Sequence, residues 1–184
     1  RQLSSILKES RSHEVSMSLT RKEDQSQLTI ALTDGDYQVP AVIGEAFPPV
    51  GFFPNEVPSV TVNAVRLEEM IRQTIFAVDK DRTSAVLSGL YLAVNDGEVV
   101  LAATDGKVLC EAVEKGNFNL PEPIGVIVPA VTINHLSRIL LATKAEQAQV
   151  AIAGKLIFFR VLPGGGGAKV ELTSRLVEGN LPPY

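Results

Sequence analysis

Side chains that carry chemistry are scarce in this sequence. It has one cysteine, Cys110, and two histidines, His13 and His135. A lone cysteine closes no intrachain disulfide, and within the apolar run 99–113 it reads as a small buried hydrophobe rather than a nucleophile. His13 falls in a charged N-terminal loop, and His135 lies on a helix without an HxxxH or HExxH partner, so both read as surface or locally satisfied histidines. No apolar run approaches the roughly 18 residues that span a bilayer. The opening RQLSSILKESRSH also lacks a signal-peptide core and cleavage site, which predicts a cytoplasmic chain without membrane contact. Positive charge is not in excess either: 17 Lys and Arg stand against 21 Asp and Glu, a net charge of −4. That excludes a uniformly basic nucleic-acid binder, but not a basic surface on an acidic body.

A hydrolase or transferase needs a nucleophile, a base and an orienting group, or a set of metal ligands. None is assembled in the sequence. Asp105, beside a glycine, reads as the cap of its own turn, and Asp79, Lys80, Asp81 and Arg82 read as a solvated loop. The glycine run 164–167 is a flexible turn, because no Lys-Ser or Lys-Thr follows to make a phosphate loop. The chain is therefore expected not to be an enzyme, with no catalytic residue, no cofactor and no metal.

What is present is an alternation of short strands with three helical patterns, an α+β composition. Leu3, Ile6 and Leu7 have helical spacing, and partly alternating runs over 14–19, 27–32 and 37–43 predict three strands. Residues 46–59 carry four prolines, too many fixed φ angles and missing donors for a sheet interior, and predict an extended connector. A strand over 59–62 then leads to Asn63 as N-cap and a helix from Ala64 to about Val78, with Leu67, Met70, Ile71, Thr74, Ile75 and Val78 on its apolar stripe. Strands follow over 86–94, 98–104 and 108–113. The last two are joined at Thr104-Asp105-Gly106-Lys107, where Asp-Gly signals a tight primed hairpin turn. A strand over 124–128, Pro129 at a helix start, a helix to about Thr143 and strands over 150–153, 155–161 and 169–177 complete the chain.

The sequence repeats itself. VTVNAVRLEEMIR from Val60 and VIVPAVTINHLSR from Val126 align at an offset of 66, so each copy is a strand, a helix and three strands. QLSSIL from Gln2 aligns with HLSRIL from His135, and FPPV from Phe47 echoes LPPY from Leu181. The chain opens inside a helical pattern and stops after a Pro-Pro, so it is expected to be a piece of a longer protein: one whole two-repeat domain and the second half of the domain before it. Repeated αβ units that align their helices suggest a surface built for something extended. The outward sides of the helices carry basic residues, but Glu68 and Glu69 lie among them, and charge alone does not separate a binding face from an ordinary solvated one.

Four ordered segments carry a resemblance: IRQTIFAVDKDRTSAVLSGLYLAV from Ile71, LAATDGKVLCEAV from Leu101, IVPAVTINHLSRIL from Ile127 and TSRLVEGNLPPY from Thr173. In order and spacing they resemble the middle domain of the bacterial DNA polymerase III β sliding clamp family. The resemblance implies the DNA-clamp (processivity) fold, with helices on one face and antiparallel sheets on the other. Residues 1–50 would be the C-terminal half of a first, truncated clamp domain and 51–58 a connector. Residues 59–184 would form a complete middle domain made of repeats 59–123 and 124–184.

It further implies a processivity factor, a homodimeric ring in the full-length protein, that encircles duplex DNA without reading sequence. Arg66, Arg72, Lys80, Arg82 and Arg138 would face the DNA. A hydrophobic pocket would take linear motifs of the replicative polymerase, clamp loader and repair polymerases, and the matching residues are Leu87, Thr104, Gly106, Leu109 and Pro182. Lys107 and Val108 stand where the family commonly has His and Arg; Val108 replaces a donor fork with an apolar wall, so the peptide preference need not be the family's. The alternative from a different class is a stand-alone peptide-binding adaptor that does not encircle DNA.

Overall fold

The computed structural model describes residues 2–22, 25–42, 51–81, 84–118 and 120–181. The chain divides into two compact units, 1–49 and 50–184. The first holds helix α1 (Gln2–Glu9) and strands β1 (Ser16–Lys22), β2 (Gln25–Leu32) and β3 (Gly35–Ala41), which form an antiparallel meander β1-β2-β3. Register pairs Met17 with Ile30 and Ile30 with Tyr37, so one face is apolar. Only Ile30 of that row is buried, while Met17, Leu19 and Tyr37 stay exposed.

The second unit begins with β4 (Ser59–Asn63) and α2 (Ala64–Thr74), followed by β5 (Gly89–Asn95), β6 (Glu98–Thr104) and β7 (Leu109–Lys115). The pattern recurs as β8 (Ile124–Pro129), α3 (Ala130–Thr143), β9 (Ala145–Ala153), β10 (Leu156–Pro163) and β11 (Val170–Arg175). Two four-stranded antiparallel sheets result, β7-β6-β5-β8 and β11-β10-β9-β4. The first strand of each repeat is thus exchanged. β4 pairs with β9, placing Val60 opposite Val150, and β8 pairs with β5, placing Val128 opposite Leu90.

The two helices pack on each other and against both sheets, and one core joins all of them. It contains Leu67, Met70 and Ile71 of α2, Ile133, Leu136 and Leu140 of α3, Leu92 and Leu101 of one sheet, and Ile157 and Phe159 of the other. Alternation along β10 sends Ile157, Phe159 and Val161 inward and turns Phe158 and Arg160 to the outer face. There a smaller cluster forms around Phe158, Ala151 and Phe53. The proline-rich connector therefore does not hang free over its whole length, since Phe53 is buried against the outer face of the second sheet.

Local chemistry accounts for the element ends. Asn63 caps α2, its side chain accepting from the amides of Val65 and Arg66, both at 3.1 Å. The α-helix stops at Thr74, four residues before the end expected from its apolar stripe. The Thr74 hydroxyl donates back to the Met70 carbonyl at 2.8 Å, and the chain tightens into a 3-10 turn over Ile75–Ala77. Lys144 closes α3 in the left-handed conformation, φ 48°, with its amide directed to Leu140 and Leu141. Residues 86–88, read from sequence as strand, form a turn instead, and part of the glycine run makes a short 3-10 turn, Gly164–Gly166. No helix among the described residues is long and apolar enough to cross a membrane.

Candidate functional site

Thr104 ends β6 and Leu109 begins β7, and the two are paired across the ladder. Between them Asp105 organises the chain. Its carboxylate accepts from the amides of Lys107 (2.9 Å) and Val108 (2.8 Å), and its own amide donates to the Val108 carbonyl at 3.3 Å. The Val108 and Lys107 amides, in that order, hold the Asp105 carboxyl below the usual range for an aspartate. Thr104 Oγ1 accepts from the Gly106 amide at 3.0 Å, and Gly106 has φ +87°, a conformation that L side chains rarely adopt.

This is a four-residue connection, not the two-residue primed hairpin that Asp-Gly predicts. Asp105 keeps a negative φ, because its carboxylate satisfies two amides and wraps the chain into a wider loop. The result is a pinned turn that leaves Val108 49% and Leu109 44% exposed.

The antiparallel register, Tyr91 opposite Ala102, sets the start of β5 beside the end of β6. Leu87, two residues ahead of β5, therefore lies at the same end of the sheet as Thr104, Gly106, Lys107, Val108 and Leu109. Its carbonyl accepts from the Asp79 amide at 2.8 Å. Leading away from β11, Val177 bonds the Ile127 carbonyl at 2.9 Å, and a Cβ at Gly179 would stand 2.6 Å from Val86. The C-terminal stretch thus runs past the neighbour of Leu87. Pro182 lies outside the described residues.

The basic residues fall into two settings. Arg66 is engaged: its Nε and one terminal nitrogen donate to Glu114 at 3.1 and 3.0 Å, and the other donates to Glu69 at 2.6 Å. These two carboxylates, Glu114 first, raise the pKa of its guanidinium. Arg72 is exposed in the last turn of α2. Lys80 and Arg138 are brought together as walls of a groove of about 790 Å³ between the exit of α2 and the exposed side of α3, with Ile75, Val78, Val131 and His135. Arg82 lies outside the described residues.

Asp79, read from sequence as solvated, is buried at the edge of that groove. Its carboxylate accepts from the amides of Asp81 (3.0 Å) and Ser84 (3.3 Å), replacing lost hydration. The sequence reading set His135 aside. Its spacing from Val131 and Arg138, four and three residues, is the signal that the three share one helix face. Among the described residues no three His, Cys, Asp or Glu side chains gather as metal ligands. Cys110, half-buried, donates its thiol to the Gln73 carbonyl at 2.9 Å.

Two β-α-β-β-β repeats with exchanged first strands around one helix pair define a clamp-type domain. The family model for the DNA polymerase III beta subunit, central domain, matches residues 61–183. A beta sliding clamp of Treponema pallidum is 30% identical over 168 residues, covering 90% of this chain and 42% of that protein. One of Bacillus subtilis is 31% identical over 118 residues, covering 63% of this chain and 29% of that protein. The solved DNA polymerase sliding clamp of Bacillus subtilis superposes with a TM-score of 0.83 at 23% identity, covering 100% of this chain and 45% of that one. The DNA polymerase III subunit beta of Pseudomonas aeruginosa gives 0.81 at 24%, covering 99% and 47%. The chain belongs to the DNA polymerase III β-subunit, or β sliding clamp, family, which is non-catalytic. It spans less than half the length of these relatives.

Proposed function

We propose that this chain works as part of a cytoplasmic sliding-clamp processivity factor. Residues 1–50 supply the second half of one clamp domain, 51–58 the connector, and 59–184 a complete middle domain. In a full-length homodimeric ring the exposed helix faces look onto duplex DNA and attract its phosphates without base readout. The end of the sheet at Leu87 and Thr104–Leu109, completed by Pro182, receives short linear motifs of the replicative polymerase, the clamp loader and repair polymerases.

The observation that supports this reading best is the turn at Asp105. It holds two apolar side chains, Val108 and Leu109, out in solvent on a backbone fixed by its own hydrogen bonds. A fixed apolar edge binds a peptide with little ordering cost.

Titration of a fluorescent clamp-binding peptide into the wild-type chain and Leu109→Asp tests the pocket. Affinity is expected to fall at least tenfold, and unchanged affinity removes the pocket. Retention on circular DNA, with release on linearisation, tests the clamp using the complete reading frame. Peptide binding without retention would leave the adaptor.

A further inference from the structure

The two exchanged strands start beside a pocket that shares no residue with the Asp105 turn or with the groove on the helix pair. β4 begins at Ser59, opposite Ala151, and β8 begins at Ile124, opposite Val94. Between those two starts the second unit holds a pocket of about 240 Å³. Ile124, Val150, Ile152 and Leu120 line it from the shared core, and the chain entering β4 and β8 adds Val57, Pro58 and Pro121. Val94 lies near the end of β5 and Leu87 precedes its start, so the pocket sits at the opposite end of the sheet from the Asp105 turn.

Glu122 is the only ionisable side chain in the lining, and among the described residues no buried side-chain nitrogen or oxygen lacks a partner. Water there finds few of the partners that an ordered water needs, so an apolar group gains by replacing it. Prolines fix the backbone of both connectors, and the walls lose little freedom when a guest enters. Charge then decides between guests. Glu122 is exposed and enters no ion pair among the described residues. Glu56, its equivalent under the 66-residue offset, is also exposed and adjoins Val57. No Lys or Arg lines the pocket.

We propose that this pocket is a binding site for a small arylalkyl ammonium compound: one aromatic ring on a short chain that ends in a cation. An apolar cavity of about 150 Å³ already takes benzene, so a ring fits here with its chain leading outward. The two glutamates favour a cation over an anion of the same length. Seated there, the guest touches the entries of both exchanged strands and stabilises their pairing.

The test titrates the 184-residue chain with 2-phenylethylammonium, followed by amide chemical shifts, with 3-phenylpropanoate as the anion of matching length. Saturable shifts are expected at 57–58, 120–124 and 150–152, with a Kd on the order of 1 mM. The anion should bind about threefold more weakly, and the melting temperature should rise as the ammonium compound is added. Glu56→Gln combined with Glu122→Gln is expected to bring the two ligands to within about twofold of each other. Val57→Trp, which fills the pocket, should weaken both by about tenfold; the two glutamates are exposed, so the paired substitution keeps the test open if the Trp variant does not fold. Shifts centred elsewhere, shifts that never saturate, or equal affinity of the wild type for the two ligands overturn the inference. Shifts of the same amides with protein concentration alone would put a second copy of the chain in the pocket and overturn it as well.

Discussion

The guanidinium of Arg160 lies 4.2 Å from the centre of the Phe53 ring, and the same group is bound to Glu171 at 3.0 Å and to Asn55 at 2.8 Å. Glu171 in turn accepts the Phe53 amide at 3.2 Å, and Thr173 donates to the Gly51 carbonyl at 2.7 Å. Residues 51–55 are thereby strapped across β10 and β11. Pro54 lies within this strap, with Pro49 and Pro58 close on either side in sequence, and prolines lower the entropy lost when the strap is laid down.

Removing the ring should therefore be expensive. Phe53→Ala is expected to cost about 3 kcal/mol, because it deletes a buried aromatic and the face on which Arg160 stacks. Arg160→Ala should cost less, about 1–2 kcal/mol, since Lys169 remains 2.9 Å from Glu171. Urea denaturation of the two variants, measured against wild type, checks both the size and the order.

Acid should loosen the same strap. Lys169, the Phe53 amide and Arg160 hold the Glu171 carboxyl down at about 2. A depressed carboxylate contributes stability that is fully present above the unfolded-state pKa, about 4.3, and is lost as pH falls toward the folded value. The melting temperature of wild type should therefore fall between about pH 4.5 and pH 2 more steeply than that of Glu171→Gln. Parallel curves over that interval would show that Glu171 contributes nothing to acid sensitivity.

At the other sheet, Gly89 is required by space. A Cβ there would stand 2.5 Å from a methyl of Ile127 and 2.9 Å from the backbone oxygen of Val128. Backbone cannot move aside without disturbing the β5–β8 ladder, so Gly89→Ala should cost roughly 2–3 kcal/mol. Thermal melting reads this directly.

The turn at Asp105 offers a different kind of variant. Gly106→Ala meets no atom within 4 Å, but it imposes φ +87° on a residue with a Cβ, a cost of about 1 kcal/mol. Asp105→Ala removes the acceptor of two amides and should raise amide exchange at Lys107 and Val108. If the turn is one wall of a peptide site, both variants lower peptide affinity while Leu87 and Leu109 are untouched.

Much of this architecture was legible in the residues. The offset between VTVNAVRL and VIVPAVTI marks the duplication, Asn63 marks the start of a helix, and the stripe of Leu67, Met70 and Ile71 marks its buried side. Strand exchange was not legible: Val60 and Val128 look equally able to pair within their own repeats, because alternation fixes which face is buried and says nothing about the partner strand. The width of the Asp105 turn was missed for a local reason. A carboxylate that bonds two amides overrides the Asp-Gly preference for a primed turn. Asp79 was misread because burial of an acid depends on amides supplied by Asp81 and Ser84, whose placement no periodicity records. The groove escaped notice because its walls come from the exit of α2 and the side of α3, far apart in the chain.

The exchange of β4 and β8 makes the two repeats mutually dependent in folding. Cut between them, either half would leave a three-stranded sheet with a bare edge and a surplus strand with nowhere to pair, the pattern that drives chains to associate. The pairing of Val60 with Val150 must wait until the first copy and the second as far as β9 have been made, so the second sheet is joined by its fourth strand at a high loop-closure cost. The same geometry also suits two identical half-length chains, each lending its first strand to the other. In that sense the domain is a strand-swapped dimer written as one polypeptide, and its connection between β7 and β8 is held to the shared core by Phe118.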